Sequence, residues 1–383
     1  MRVMFCQPSS AKAAISGPER QTVQVARALQ QRGYQVLIAV ILVDEAERVT
    51  DTTLATHARE HQVGVVSLYL PARYHLPRMV QRFADLVHQY DPDVVCTQGY
   101  KADVVAAAYG KVPTVALVPG WTAKDWKVRF YEWLDKQTLR RHSVVAIVSP
   151  AQKAEVLRYG VPPDRIFYLP TCMDVGSLQP AYSCKQIADI TSCSLHRKIL
   201  GYVGRLSVEK GVTYLIDALA MLKVKQAEVH LLIVGEGEQR ANLQAQVESL
   251  GLRQAVKFLG ERGDARQIIG ALDLLVLPSL TEGLPNVVLE AFAYKTPVVA
   301  TAVGGVPELV IDAETGWLVP PRDPHALAQA ILGALSNPEE ARRRAENAYK
   351  HLLENFTLEK QVDKWEQALQ AAVENWRKRW KHG

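Results

Sequence analysis

Short aliphatic runs alternate with amphipathic stretches from one end of the chain to the other. In the first half the runs at residues 2–7, 35–43, 63–70, 93–97, 113–118, 143–148 and 166–169 have the length and apolar content of buried strands. Helical patterns lie between several of them. Residues 19–32 place Val23, Ala26 and Leu29 on one face and stop at Gly33, a residue suited to the position just past a helix end. The second half repeats the style, with strands expected at 198–203, 229–234, 255–259, 274–277 and 297–301. Helices are expected there at 212–222, 239–250, 286–294 and 325–335. Strand–helix alternation with aliphatic strands predicts parallel sheets covered by helices. No fixed-period repeat is present.

Residues 179–197 are polar, carry Pro180 and have no clear period, which reads as a linker. With 383 residues the chain exceeds what one core organises comfortably, so two domains are expected. The division is residues 1–178 and 198–357, each Rossmann-like and doubly wound, with the linker between them. If the two units face each other, ligands belong at the carboxyl ends of their strands, in the cleft.

Apolar residues make up 48% of the chain and charged residues 22%, a globular composition. A net charge of +5 without a dense basic stripe argues against nucleic acid. The last segment, Trp376-Arg-Lys-Arg-Trp-Lys-His-Gly383, is basic and aromatic. A solvated helix end accounts for it, and a contact with an anionic membrane surface is the sharper reading. Cys6, Cys96, Cys172, Cys184 and Cys193 show no metal-ligand spacing, so no metal is expected. The longest aliphatic run, residues 36–43, is far shorter than the roughly twenty residues that span a bilayer. A cytoplasmic location is expected.

Three strand-to-helix loops in the second half carry candidate chemistry. In Gly201-Tyr-Val-Gly204-Arg205-Leu-Ser-Val-Glu209-Lys210-Gly211, Gly204 permits a tight turn and two cations reach over the strand end, which suits a diphosphate. A solvated loop with a Glu209–Lys210 surface pair explains it equally well. In Thr281-Glu282-Gly283-Leu284-Pro285-Asn286-Val-Val-Leu-Glu290-Ala291, backbone N–H groups at a helix start form an anion site, and Glu282 and Glu290 can accept hydrogen bonds from sugar or ribose hydroxyls. A helix cap for Glu282 and a surface helix acid for Glu290 are the plainer readings. The third loop, Val303-Gly304-Gly305-Val306-Pro307-Glu308, either shapes a sugar pocket or is a turn without a ligand.

Taken together these loops resemble the retaining, metal-independent glycosyltransferases of family four, which share the GT-B fold. Glu282 and Glu290 match the family's E-x7-E motif. Gly235-Glu-Gly237, Phe258-Leu-Gly260, Gly304-Gly305-Val-Pro-Glu308 and Gly316-Trp-Leu-Val-Pro320 match in order and spacing. The resemblance implies that Arg205 and Lys210 hold the diphosphate of a nucleotide-sugar, with Gly204, Gly235 and the helix start Gly283, Leu284, Pro285 and Asn286 beside them. It implies further that Glu290 binds the ribose, that Glu282 contacts the transferred sugar, and that Arg262 contacts the base. Catalytic roles thus fall to Glu282, Arg205 and Lys210. The implied enzyme is a hexosyltransferase of bacterial surface polysaccharide or glycolipid synthesis. It would need no cofactor beyond its donor, a UDP-sugar by default and a GDP-sugar otherwise, and its acceptor would be a glycan or lipid-linked.

In the first half Ser16-Gly17-Pro18-Glu19-Arg20 is similar to the family's Gly-Gly-x-Glu-Arg loop, which brings Gly17 toward the donor phosphates. Acceptor recognition belongs to this half, where Tyr100-Lys101-Ala-Asp103 and the stretch from Gly120-Trp121 to Asp135 also resemble relatives. The C-terminal stretch from Leu358 resembles the helix that returns to the first domain. The chain also departs from the pattern: Pro119 stands where the family commonly has a histidine, Cys96 and Gln98 where relatives often carry histidines, and Leu169-Pro-Thr-Cys-Met-Asp174 where the family has Leu-Pro-Asn-Gly-Val-Asp. Proline donates no hydrogen bond and accepts no proton. A nucleotide-sugar-binding partner subunit with little activity is therefore the rival reading. A dehydrogenase is disfavoured, because Gly235-Glu-Gly237 lacks the third glycine of a dinucleotide loop.

Overall fold

The structure is a computed structural model, and it describes residues 1–9, 15–42, 52–70, 75–118, 126–191, 197–224 and 229–381. Pro119, Gly120 and Trp121 lie outside the described residues, as do 192–196 of the expected linker and the last two residues of the basic tail. The chain divides into two compact units, residues 1–171 with 358–383, and residues 172–357.

The first unit alternates β1 (Arg2–Pro8), α1 (Gly17–Gln31), β2 (Gln35–Leu42), α2 (Thr53–Glu60), β3 (Gly64–Tyr69), α3 (Leu76–Tyr90) and β4 (Val94–Gln98). It continues with α4 (Tyr100–Tyr109), β5 (Thr114–Val118), α5 (Trp126–Thr138), β6 (Val144–Ile147), α6 (Lys153–Arg158) and β7 (Ile166–Tyr168). Among the described residues these strands form one parallel sheet in the order β3-β2-β1-β4-β5-β6-β7. The strands are apolar on both faces because both faces are covered. Val3, Phe5, Ile38 and Val94 face a core shared with α1, while Met4, Cys6, Ala39 and Val95 face one shared with α3 and α4.

The second unit runs α7 (Cys184–Thr191), β8 (Lys198–Val203), α8 (Val212–Val224), β9 (Val229–Val234), α9 (Arg240–Ser249), β10 (Val256–Gly260) and α10 (Ala265–Ile269). Then come β11 (Leu274–Leu277), α11 (Asn286–Ala293), β12 (Val298–Thr301), α12 (Val306–Leu309), β13 (Trp317–Val319), α13 (Pro324–Ser336) and α14 (Pro338–Asn355). Its sheet is also parallel, in the order β10-β9-β8-β11-β12-β13. Within the stretch expected to be a linker, Cys184–Thr191 form a helix whose Ile187 is buried in this unit's core.

The last helix, α15 (Leu358–Lys381), packs on the first unit. Val362, Trp365, Ala368, Leu369 and Ala372 recur at three- and four-residue steps and enter the core around α1, with Trp365 edge-on to Phe5 at 5.4 Å. Near its end, Asn375 donates to the carbonyl of Ser143 and Arg379 to that of Arg141. Arg377, Lys378 and Arg379 are exposed. No helix among the described residues is long and apolar enough to cross a membrane.

Candidate functional site

In a doubly wound sheet the loops leaving two adjacent strands part in opposite directions where the strand order reverses, which opens a crevice at the carboxyl ends. In the second unit that point lies between β8 and β11. The loop after β8 runs from Gly204 to Gly211, and the loop after β11 runs from Pro278 to Pro285. Topology therefore brings together two segments some seventy residues apart in sequence. Their backbones are joined where Leu280 N–H donates to the carbonyl of Glu209 at 2.8 Å.

Side chains then complete the junction. Lys210 Nζ stands 2.7 Å from Glu282 Oε1, and the hydroxyl of Ser279 donates to the same oxygen at 2.6 Å. The Glu282 carboxylate is only 7% exposed and Lys210 23%, so each offsets the cost of taking the other out of water. Ser279 is fully buried, and its own carbonyl accepts from Thr301 Oγ1 at the end of β12. Glu282 is thus not a helix cap: the residue preceding α11 is Pro285, and no side chain caps the helix. The backbone N–H groups at Asn286 and beyond begin this helix without a side-chain acceptor, next to the Lys210–Glu282 pair.

Arg205 takes a different partner. Its guanidinium bonds Glu209 Oε1 at 2.8 Å and is 61% exposed, so the loop's surface pair is Arg205–Glu209, and Lys210 is turned inward. The base of the loop is held by Tyr202, whose buried hydroxyl donates to the carbonyl of Arg205 at 2.8 Å. Burial, with Glu282 and Glu209 nearby, pushes that phenol well above its ordinary range.

Two glycines let neighbouring loops close on this point. Gly235, after β9, has φ +139°, and a Cβ there would lie 1.9 Å from the carbonyl oxygen of Gly204. Gly304, after β12, has φ +53°, and a Cβ would lie 1.8 Å from the carbonyl oxygen of Glu282. The turn is tied by Gly305 N–H donating to the carbonyl of Gly283 at 2.9 Å. Any side chain at either place would lift a strand-end loop away from the crevice.

Glu290 lies in the second turn of α11 and is buried, with Arg266 Nε 2.8 Å from its Oε1. It is therefore an interior acid and not a surface one. Arg262 forms a two-point contact with Asp264, at 2.8 and 2.7 Å, and Tyr182 donates to the same carboxylate at 2.7 Å. Arg262 and then Tyr182 draw the Asp264 carboxyl down to about 2. Lys210, Glu282, Gly204, Gly235, Gly283, Leu284, Pro285 and Asn286 gather at the β8–β11 end, and Glu290 is held by the α10 segment that follows Arg262.

Reasoning from the sequence missed Ser279 and Arg266. Ser279 stands three residues before Glu282 in a loop, a spacing that could have flagged it. Arg266 stands 24 residues before Glu290, and no local signal joins them.

In the first unit Gly17 is the first residue of α1, capped by Ser16. The Ser16 hydroxyl accepts from Glu19 N–H at 3.4 Å, and Ser16 N–H donates back to Glu19 Oε2 at 2.8 Å. Glu19 is buried and also accepts from Ser9 at 2.5 Å and Thr53 at 3.1 Å. The serine that replaces the family's first glycine thus starts the helix. Cys96 is buried in β4, and burial holds its thiol well above the usual range, so it accepts no proton as a histidine would. Asp103 on α4 is buried beside Asp135 on α5, and burial followed by the Asp135 charge pushes its carboxyl well up. His142 is buried against Thr114, 3.1 Å from its hydroxyl, and burial lowers it to about 4.

Residues 187–351 match the family described as glycosyl transferases group 1, and residues 16–172 match the glycosyl transferase 4-like domain. Among curated relatives, alpha-D-kanosaminyltransferase of Streptomyces kanamyceticus is 38% identical over 154 residues, 40% of this chain. A lipopolysaccharide core biosynthesis glycosyltransferase of Rhizobium meliloti is 35% identical over 167 residues, 44% of this chain. The chain spans less than half of those relatives' own lengths, 40% and 48%. Among solved structures, HepE of Anabaena in complex with UDP superposes with a TM-score of 0.82 at 23% identity, covering 97% of this chain and all of that one. At that identity the likeness is one of fold. The two family matches together cover most of the chain. The chain belongs to the group 1 glycosyltransferases, and its two doubly wound units are those of the GT-B fold.

Proposed function

We propose that this protein moves a sugar from a nucleotide-sugar, a UDP-sugar first and a GDP-sugar second, to a glycan or lipid-linked acceptor, with retention and without a metal. The observation that carries the reading is Glu282 held by Lys210 and Ser279 at the switch point of the second sheet, beside the uncapped start of α11. A helix start and a lysine oppose the charge that builds on a departing diphosphate, which favours the transition state over the bound substrate. Arg205 joins them by leaving Glu209. Glu282 meets the transferred sugar, Glu290 the ribose and Arg262 the base. No side chain acts as base: the leaving phosphate takes the acceptor proton as the acceptor attacks from the same face.

UDP is preferred because the solved relative HepE is complexed with it. A surface polysaccharide or glycolipid acceptor is supported by the lipopolysaccharide core relative. The exposed Arg377, Lys378 and Arg379 on α15 suit peripheral contact with an anionic inner membrane face.

Calorimetric titration with UDP and with GDP, without added metal, tests the donor site. One nucleotide should bind, and Glu290→Ala should weaken it. If neither nucleotide binds wild type, the donor reading is wrong. The second reading, a partner subunit of little activity, rests on Pro119 and on the protonated Cys96 thiol. Sugar transfer to any acceptor, abolished by Glu282→Ala, would remove it.

A further inference from the structure

We infer that Arg266 is a positioning residue for Glu290, and that its hold on the carboxylate sets how strongly the site prefers a ribonucleotide to a deoxyribonucleotide. The inference rests on the donor-site reading proposed above and adds to it a residue with no counterpart among the motifs.

Glu290 projects from α11 at a buried position, its side chain 11% exposed. A carboxylate offers about four acceptor sites, and the N–H that Arg266 places on Oε1 takes one of them. What the contact does is choose the rotamer. An acid ordered before the nucleotide arrives binds hydroxyls without the entropy loss of being ordered by them.

Arg266 can do this because its own helix is anchored on two sides. Ile268 and Ile269 share a core with Val288, Leu289 and Phe292, which locks α10 against α11. Ahead of α10, Asp264 is gripped by Arg262 and Tyr182. The chain of contacts runs from Tyr182 through Asp264 to α10, and from Arg266 to Glu290. Among the groups that face the acid are the Arg266 guanidinium and, just past the end of α11, the phenol of Tyr294, which donates to the carbonyl of Gln179.

The test compares UDP with 2′-deoxy-UDP by calorimetry on the full chain, or the two guanine counterparts should wild type take that base. A charged hydrogen bond to a ribose hydroxyl corresponds to a preference of about ten- to hundredfold for the ribonucleotide. Wild type should show it, and Glu290→Ala should bring the ratio near one. Arg266→Met should do the same, Arg266→Lys should fall between, and the double variant should be no lower than Glu290→Ala alone. A merely structural role would weaken both nucleotides alike and leave the ratio at its wild-type value. That result for Arg266→Met, or an unchanged ratio in Arg266→Lys should the methionine variant not fold, overturns the inference while the donor site stands. A ratio that survives Glu290→Ala overturns the placement of the ribose, and the inference with it.

Discussion

At the switch point of the second unit, between β8 and β11, an acid faces a cation: Glu282 meets Lys210, and close by Glu290 meets Arg266. At the equivalent point of the first unit, between β1 and β4, the acids are handled differently. Glu19 is used up by hydroxyls and a backbone N–H at the start of α1, and Asp103 is buried beside a second acid. Both units use the same winding, so the difference lies in what each fold packs against its carboxylates. A cation beside a buried carboxylate offsets the cost of taking both out of water. Burial beside another acid favours the protonated form, and such a group serves packing. The same scaffold thus yields one end whose acids face cations and one whose described acids are held by hydroxyls or lie beside another acid.

The largest effect should come from breaking the charged end. Glu282→Ala and Lys210→Ala should each lower sugar transfer by about two to three orders of magnitude, by analogy with lost transition-state donors. Steady-state kinetics beside thermal melting would show the loss with the fold intact. Unchanged turnover in Lys210→Ala would remove the phosphate-clamp assignment and with it the contrast between the units.

Next in size is a probe of the first unit alone. Trp365→Ala removes a buried aromatic that lies edge-on to Phe5 and should cost about 3–5 kcal/mol. Urea unfolding should show a weakened first transition, while nucleotide affinity, a property assigned to the second unit, stays put. A parallel loss of affinity would show that the two units cannot be treated separately.

The buried groups of the first unit give an acid-range signature of opposite signs. His142, lowered by burial from 6.5 to about 4, stays neutral in the fold while the unfolded chain takes up a proton, so its contribution is lost as pH falls through that window. The full difference is about 3 kcal/mol at 1.36 kcal/mol per unit. Asp103 is raised, so the folded state binds the extra proton. Its contribution is intact below 3.8 and is lost as pH rises from there through the folded value. The two oppose each other between pH 4 and 6.5. Asp103→Asn should expose the histidine limb, making stability climb with pH more steeply than in wild type. Identical pH slopes for the two proteins would mean that Asp103 is charged in the fold.

The smallest effect is at the surface of α15. Arg32 bonds Asp363 and Glu366, both at 2.6 Å, in a partly exposed setting. Arg32→Ala should cost no more than about 1 kcal/mol, read as a melting shift of a few degrees. A larger shift would make ion pairing, and not Trp365, the main fastening of that helix.

Much of the fold was legible because parallel strands covered on both faces must be apolar at every position. The strands at 198–203, 229–234 and 274–277 coincide residue for residue with the observed ones, and the others shift by a residue or two at their ends. β13 was not expected as a strand: three residues carry too little pattern, although Gly316-Trp-Leu-Val-Pro320 stood out as a motif. The polar stretch before β8 hid α7, which carries Ile187 into the core.

What the sequence determined by itself is local: the alternation of strand and helix, and the glycines that let loops turn. The order of acids and cations along the strand-end loops is local as well. These depend on residues within one turn or one strand of each other, and short-range geometry settles them. Which cation meets which acid was a decision of the tertiary structure. Lys210 has Glu209 as its chain neighbour yet pairs with Glu282, 72 residues away, and Arg205 takes Glu209, because β8 and β11 are neighbours in the sheet. The charge states of Asp103 and His142 were decided there too. Desolvation depends on everything packed over a group, and no single stretch of chain supplies that cover.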